Sequence, residues 1–304
     1  MKFAALALAL AAGFISAAPA AATERDLLDW GRFFTNDVLG DGYDRWRTGA
    51  YTVSIAYGPS NHLDELTDRW GEMLEFRIRS EIIAPASLQS PSATDRPFAG
   101  TVSFGVHSHS MLGQAQLRTG FDLVFVGPQT GMGEFQNALH TTLGLSETKI
   151  LDDQLSDAVY PTLSGELSRD FTIGRARLRP FAEVQAGVES FARIGADLTL
   201  GSFGQGALLT RDATTGHLYQ VIRSRSDRGF SFVLGGDIAR VWSSEFLPED
   251  MGYAVKDTRS RLRAGVNYQG DRYGAYYGLT WLTEEFEAQP EGQLVGALQL
   301  RLFF

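Results

Sequence analysis

The chain of 304 residues contains no cysteine, so neither a disulfide framework nor thiol chemistry is open to it. It has no basic stripe either. Lys and Arg number 27 against 36 Asp and Glu, a formal net charge of −9, and nucleic acid is not an expected partner. After residue 22 there is no apolar run of the roughly 20 residues that a membrane-spanning helix requires. No Gly-x-Ser-x-Gly string occurs, which removes a serine esterase of the elbow type, and Gly204-x-Gly206 is too short for a phosphate loop. Mean hydropathy is slightly negative. Composition by itself therefore leaves a soluble protein open.

What is present begins with an address. Lys2 precedes an apolar run from Phe3 to Ile15, and small residues follow up to Ala18-Pro19-Ala20-Ala21-Ala22. A basic start, an apolar stretch too short to span a bilayer and an A-x-A ending predict a secretory signal peptide over 1–22. Residues 23–304 are then the mature chain.

Its hydrophobic period is two. In 73–82, Leu74, Phe76 and Ile78 alternate with Glu75, Arg77, Arg79 and Glu81. Segments 177–189 and 259–268 repeat the pattern, with Arg and Glu together on the polar face. Such alternation is a strand with one apolar and one polar face. A soluble sandwich turns the apolar face inward, whereas a membrane barrel turns it to lipid. Three features favour the barrel. Long side chains of both charges suit a narrow, filled lumen. Aromatics near strand ends (Trp242, Phe246, Tyr273, Tyr276, Tyr277, Trp281 and Phe286) suit interfacial girdles. The ending Leu298–Phe304 alternates to a terminal aromatic, resembling the signal by which outer-membrane barrels are recognised for assembly.

The fold class predicted is an all-β, antiparallel transmembrane barrel of about 12 strands, an even number as single-chain barrels require. The strands fall near 27–36, 48–57, 72–83, 98–109, 113–126, 159–173, 176–189, 191–202, 229–242, 257–269, 273–285 and 293–304. This count puts a long polar segment, Gly204–Arg228, on the periplasmic side, where short turns are the rule. The barrel is expected as a monomer in the outer membrane of a Gram-negative bacterium, delivered by the barrel assembly machinery. A lumen crowded with Arg and Glu argues against a wide pore.

Three polar segments meet at the outer rim in this topology. The first is Thr35-Asn36-Asp37, with Asp41, Asp44, Arg45 and Thr48 leading into strand two. The second is Asp95-Arg96-Pro97-Phe98-Ala99-Gly100. The third runs from Gly127-Pro128 through Gln136-Asn137 to His140, with a short helix predicted over 133–143 that sets Gln136 and His140 on one face at i,i+4. Polar, Gly-rich loops are ordinarily only loops, and an Asn-Asp pair at a strand end is ordinarily a turn former. Convergence on one rim adds weight, because catalytic groups tend to sit on loops held by a rigid scaffold. His107 and His109 share a face of strand four and read as members of a lumenal polar network, since a metal site needs three or four ligands. His62 and His217 read as ordinary loop residues.

In this order and spacing, Asn36-Asp37, Asp44-Arg45-x-x-Thr48, Asp95-Arg96-Pro97-Phe98-Ala99-Gly100, Val126-Gly127-Pro128 and Gln136-Asn137-x-x-His140 resemble the outer-membrane lipid A 3′-O-deacylase (LpxR-like) family. The resemblance implies a 12-stranded barrel. It also implies calcium-dependent hydrolysis of the ester that holds the 3′ acyloxyacyl group of lipid A. By position it implies that His140 activates water, that Asn36 and Asp37 bind calcium or the oxyanion, and that Thr48 and Gln136 line the site. Glu147 is the candidate for an acidic ligand after the histidine. Such chemistry is coherent, since ester hydrolysis needs a base near neutral pKa and positive charge at the oxyanion, and calcium takes oxygen ligands. Two stretches depart from the family. Arg47-Thr48-Gly49-Ala50 stands where Tyr-Thr-Asn-Gly is usual, and Ile150-Leu151 stands where Gly-Trp is usual. These departures keep two alternatives in view, a non-enzymatic barrel that binds lipopolysaccharide and a hydrolase of another lipid ester.

Overall fold

A computed structural model describes residues 25–59, 66–145, 148–223 and 228–302. The predicted signal peptide, His62, Glu147 and the terminal Phe303-Phe304 lie outside the described residues.

The strands are β1 (Asp26–Asn36), β2 (Trp46–Gly58), β3 (Met73–Ala84), β4 (Ala99–Leu112), β5 (Ala115–Val126), β6 (Ala158–Ser168), β7 (Phe171–Ile173), β8 (Ala176–Ala186), β9 (Glu189–Leu200), β10 (Leu208–Arg211), β11 (Leu218–Ile222), β12 (Gly229–Ser244), β13 (Thr258–Gln269), β14 (Tyr273–Leu282) and β15 (Gln293–Leu302). β10 and β11 pair only with each other, and the rest form one antiparallel sheet. β7 continues the row of β6 against β8, because Ser168 faces Phe181 and Phe171 faces Leu178. The sheet closes where β1 meets β15, with Phe34 opposite Leu298 and Asn36 opposite Gly296. The result is a closed 12-strand antiparallel barrel, and its staves agree with the predicted strands to within a few residues. Among the described residues no helix is long and apolar enough to cross a membrane.

Alternation sorts the side chains as lipid outside and charge inside demand. On β3, Phe76 and Ile78 are exposed on the barrel exterior while Glu75, Arg77 and Glu81 are buried. Trp242, Tyr273, Tyr277 and Trp281 are likewise exposed. The other three aromatics expected in the girdle are not there. Tyr276 is next to Tyr277, so the period of two turns it into the lumen, where it bonds His217. Phe246 and Phe286 sit in loops and pack under them in apolar clusters.

Six connections lie at the rim reached by the ends of β1, β3 and β5, and they include long loops over 85–98, 127–157 and 245–257. The opposite rim has tight turns such as 113–114 and 270–272. Short periplasmic turns and long outer loops identify the first rim as the outer one. The exceptions are the β2–β3 connection over 59–72 and, again, the segment between β9 and β12.

That segment enters the barrel. The β10–β11 hairpin stands inside the lumen, with all nine of its strand residues buried. Arg211 donates to Glu166 on β6 at 3.0 Å and to Asp197 on β9 at 2.9 Å. His217, at the base of β11, is fully buried rather than an ordinary loop residue; its Nδ1 lies 2.6 Å from the Tyr276 hydroxyl. Glycines make room for the hairpin: a Cβ on Gly31 would stand 2.3 Å from the Gln220 carbonyl oxygen. The hairpin fills space that 12 staves would otherwise leave as a channel; its apolar residues pack with Phe33, Phe203 and Tyr276, and its Thr210 and Arg211 meet the ions of the lumen wall.

Around it the charges pair. Asp237 accepts from Arg261 at 2.9 Å and also from Arg263, while Glu183 pairs with Arg193 at 2.8 Å. His107 faces Asp122 at 3.3 Å and His109 faces Glu75 at 2.8 Å, both within this network. Among the described residues no group of three or more His, Cys, Asp or Glu could hold a metal ion.

Candidate functional site

The outer rim is built from the β1–β2 connection outward. Asn36 ends β1 and caps a 3-10 turn over Asp37–Leu39, its Oδ1 accepting from the Val38 amide at 2.8 Å. This is the turn-forming role that an Asn-Asp pair ordinarily has. Asp37 is fully buried behind it. Its Oδ2 accepts from the Arg45 amide at 2.8 Å and from Gln293 Nε2 at 3.3 Å. Its Oδ1 has no hydrogen-bond partner among the described residues. Burial pushes the Asp37 carboxyl up to about 8, with Asp44 and Asp41 adding to the rise and the Arg45 amide opposing it. A carboxyl so placed has too little positive charge beside it.

β2 then begins with two irregularities. Trp46 is held at φ 51, in the left-handed region that a bulky residue rarely enters. Its ring is buried with Leu247 and Phe286, and its Nε1 donates to Asp95 at 3.3 Å. Two residues on, Arg47 pairs with Ile83 but Gly49 with Ile82, so Thr48 is the extra residue of a β-bulge. Bulges re-aim side chains, and here Arg47 and Thr48 are both buried although they are adjacent. Asn36 lies opposite Gly49 in the β1–β2 register, which brings Asn36, Asp37 and Thr48 into one corner.

The second motif is a frame. Asp95 accepts from the amides of Arg96 at 2.8 Å and Ala86 at 2.6 Å. Arg96 is buried and paired with Glu285. Gly100 is where the helix seats: a Cβ there would lie 2.6 Å from Met132 Cβ.

That helix, α1, spans Met132–Leu143, as the sequence predicted. Gly131 and Gly144, both left-handed, bound it. One face buries Gly133, Gln136 and His140; the other exposes Phe135, Leu139 and Leu143 at i, i+4 and i+8. Asn137 does not join the site. It ties the returning chain to the helix, accepting from the Thr148 amide at 2.6 Å.

The buried face meets the first loop. His140 Nε2 lies 2.9 Å from Asp44 Oδ2, and Gln136 Nε2 donates to both Asp44 oxygens at 3.2 and 3.3 Å. The rim thus brings Gln136 and His140 onto Asp44, in the connection that begins with Asn36 and Asp37 and leads to the bulge at Thr48. It adds Asp44 as the group that joins the two halves, a role not readable from the sequence because the contact spans 92 residues in its Gln136 arm. The motif string that held Asp44 was the only signal. Arg47 and Glu285 were also missed. Arg47 donates to both oxygens of Glu285 at 2.9 and 3.1 Å, to Glu189 at 3.0 Å and to Glu81 at 3.3 Å, forming a charged floor beneath the corner.

For a cation, the corner offers oxygen. Asp37 Oδ1 is buried without a partner, and the amide oxygen of Asn36 and the hydroxyl of Thr48 are of the kind that calcium takes. Carboxylates of the described residues do not converge in a set of three, so carbonyls, water or substrate would complete a shell.

The sequence matches the family described as outer membrane protein LpxR over residues 5–304. No curated protein matches it. Among solved structures, LpxR from Salmonella typhimurium superposes with a TM-score of 0.72 at 19% identity, covering 91% of this chain and 100% of that one. The NanC porin (TM-score 0.44, 8% identity, 91% and 100% covered) and the β domain of the Bordetella autotransporter BrkA (0.42, 12%, 91% and 99%) also match. The chain is an outer-membrane barrel, and it belongs to the LpxR family.

Proposed function

We propose that the protein is a lipid A deacylase that hydrolyses the 3′-linked acyloxyacyl ester at the outer leaflet, with calcium as cofactor. The observation that carries the reading is the imidazole of His140 held by Asp44 on a helix face that also presents Gln136, at the rim of a membrane barrel. A histidine fixed by a carboxylate is the standard means of making water attack an ester.

In this reading Asp44 orients the ring of His140, and the imidazole takes a proton from water. The hydroxide adds to the ester carbonyl. As the tetrahedral intermediate collapses, the proton passes to the leaving sugar oxygen, so that one water yields a free acyloxyacyl acid and a hydroxyl on lipid A. Gln136 steadies Asp44, and Thr48, from its bulge, lines the corner. Asp37, with Asn36 and, in the segment after the helix, Glu147, would hold calcium. When bound there, calcium supplies positive charge for the developing oxyanion. Phe135, Leu139 and Leu143 give the acyl chains an apolar face beside the histidine.

The test is mass spectrometry of lipid A incubated with the refolded barrel, with calcium or with chelator. Loss of one acyloxyacyl unit only with calcium is expected; unchanged mass in both would overturn the reading in favour of a barrel that binds lipopolysaccharide. Asp37→Asn is a sharper probe of the cation. A carboxyl pushed up to about 8 is largely neutral at pH 7, so an amide replaces it without new buried charge. The variant should fold normally, by the shifted mobility of the unheated barrel in detergent gels, yet need about 10–100-fold more calcium. A normal calcium requirement would remove Asp37 from the ligand set.

A further inference from the structure

The hairpin inside the lumen ends below the site, and its tip touches the floor on which the site rests. The tip is rigid: Asp212 Oδ2 accepts from the Thr215 amide at 2.8 Å and from its hydroxyl at 2.7 Å, and Gly216 donates back to the Asp212 carbonyl at 3.0 Å. Thr214 stands on this turn. Its hydroxyl accepts from Arg79 Nη2 at 2.6 Å and donates to Glu81 Oε1 at 2.7 Å.

The same Glu81 oxygen takes Nη1 of Arg47 at 3.3 Å. Arg47 is the residue just before the bulged Thr48, and its own amide donates to Gln293 Oε1 at 3.1 Å. Gln293 Nε2 in turn donates to the Arg45 carbonyl at 2.6 Å and to Asp37 Oδ2 at 3.3 Å. A continuous set of hydrogen bonds therefore runs from the periplasm-derived hairpin, through Glu81, Arg47 and Gln293, to the carboxyl that the cation reading uses. A bulge and a left-handed Trp46 are conformations that persist only where surroundings over-determine them, and Arg47, clamped by three carboxylates, is such a surrounding.

We propose that Arg47 is a positioning residue of the outer-rim site, and that Thr214 of the lumenal hairpin sets Arg47 through Glu81. The hairpin is thereby part of the site's support as well as the stopper of the barrel. The catalytic part of this inference rests on the proposed hydrolysis at His140; the coupling of hairpin to rim does not.

The experiment uses the full refolded chain with Thr214→Val, which keeps shape and removes the hydroxyl, and Thr214→Ser, which restores it. Hydrogen–deuterium exchange of the 37–48 amides and steady-state kinetics on lipid A are read together. Loss of the hydroxyl's two hydrogen bonds predicts exchange in 37–48 faster by about 3–10-fold and kcat lower by a similar factor, with KM unchanged. The turn at 249–252 on the same rim should not respond, and Thr214→Ser should return both values. A wild type that hydrolyses lipid A while Thr214→Val leaves exchange and kcat untouched overturns the proposal. Equal acceleration at 37–48 and 249–252 also overturns it, since that is general loosening. A wild type without turnover whose 37–48 exchange still responds to Thr214 upholds the positioning and defeats the hydrolase reading.

Discussion

Replacing His140 by alanine should lower kcat for release of the acyloxyacyl acid by about 10²–10⁴-fold, the usual share of a positioned general base. The barrel itself should be indifferent. His140 lies on α1 outside the sheet, and alanine is the residue most at ease inside a helix. Among what is lost is the rim contact of His140 Nε2 to Asp44 at 2.9 Å. Asp44→Asn should reduce kcat in the same direction, because a neutral amide no longer stabilises the imidazolium that forms when His140 takes the water proton. The pair is measured by acid release with the folded fraction fixed by gel mobility. Undiminished release from the alanine variant would move the role of base away from His140 and leave the helix as a lid over lipid.

The second large effect is on stability. Arg211→Ala should lower the free energy of unfolding by about 3–5 kcal/mol, the cost of stranding buried charge. Its guanidinium, in the lumen, serves Glu166, Asp197 and the Gly216 carbonyl at 2.8–3.0 Å and lies over the Phe181 ring at 3.5 Å. Urea titration followed by gel mobility reads the midpoint. Adding Glu166→Gln to the variant should recover part of the loss, because without Arg211 the Glu166 carboxylate is left with Arg118 at 3.4 Å and an amide there is neutral, while Asp197 keeps Arg263. A change below about 1 kcal/mol would mean that water or neighbouring arginines already compensate those carboxylates, and that the hairpin is not anchored by this ion group.

Much of this architecture was legible in the sequence for a simple reason. Staves of the barrel separate lipid from charge residue by residue, so alternation in segments such as 73–82 registers both the strand and the face. Helix α1 showed itself the same way, through Gln136 and His140 at i,i+4. The hairpin did not. Its residues are buried on every side, against the apolar cluster of Phe33, Phe203 and Tyr276 as well as against charged groups, so Leu208–Arg211 and Leu218–Ile222 carry no two-faced pattern, and its length alone marked it. Tyr276 misled because a row of aromatics looks like a girdle until the period assigns one of them inward. At the site, the motif strings named the residues but not their division of labour. Asp95, Asn137 and Gly100 build the frame, whereas Asp44, His140 and Asp37 face the corner, and that division depends on contacts between loops far apart in the chain. Arg47 was read as a departure from a pattern, and its meaning appears only with Glu81, Glu189 and Glu285 around it.

The hairpin also constrains the order in which the molecule can be put together. It is connected to β9 and β12, but its bonds reach the seam where first and last staves meet. Gln299 of β15 donates to the Gln220 carbonyl at 3.0 Å and to the Arg32 carbonyl of β1 at 3.0 Å, and Arg301 adds a bond to Gln220 at 3.0 Å. A segment in place before β15 zips onto β1 would present backbone acceptors to Gln299 and Arg301 of β15 and the Arg223 amide to Asp29 of β1. The stopper is then the mould around which the cylinder is sealed, and an open-edged intermediate that has lost it would lack the guide for its final pairing.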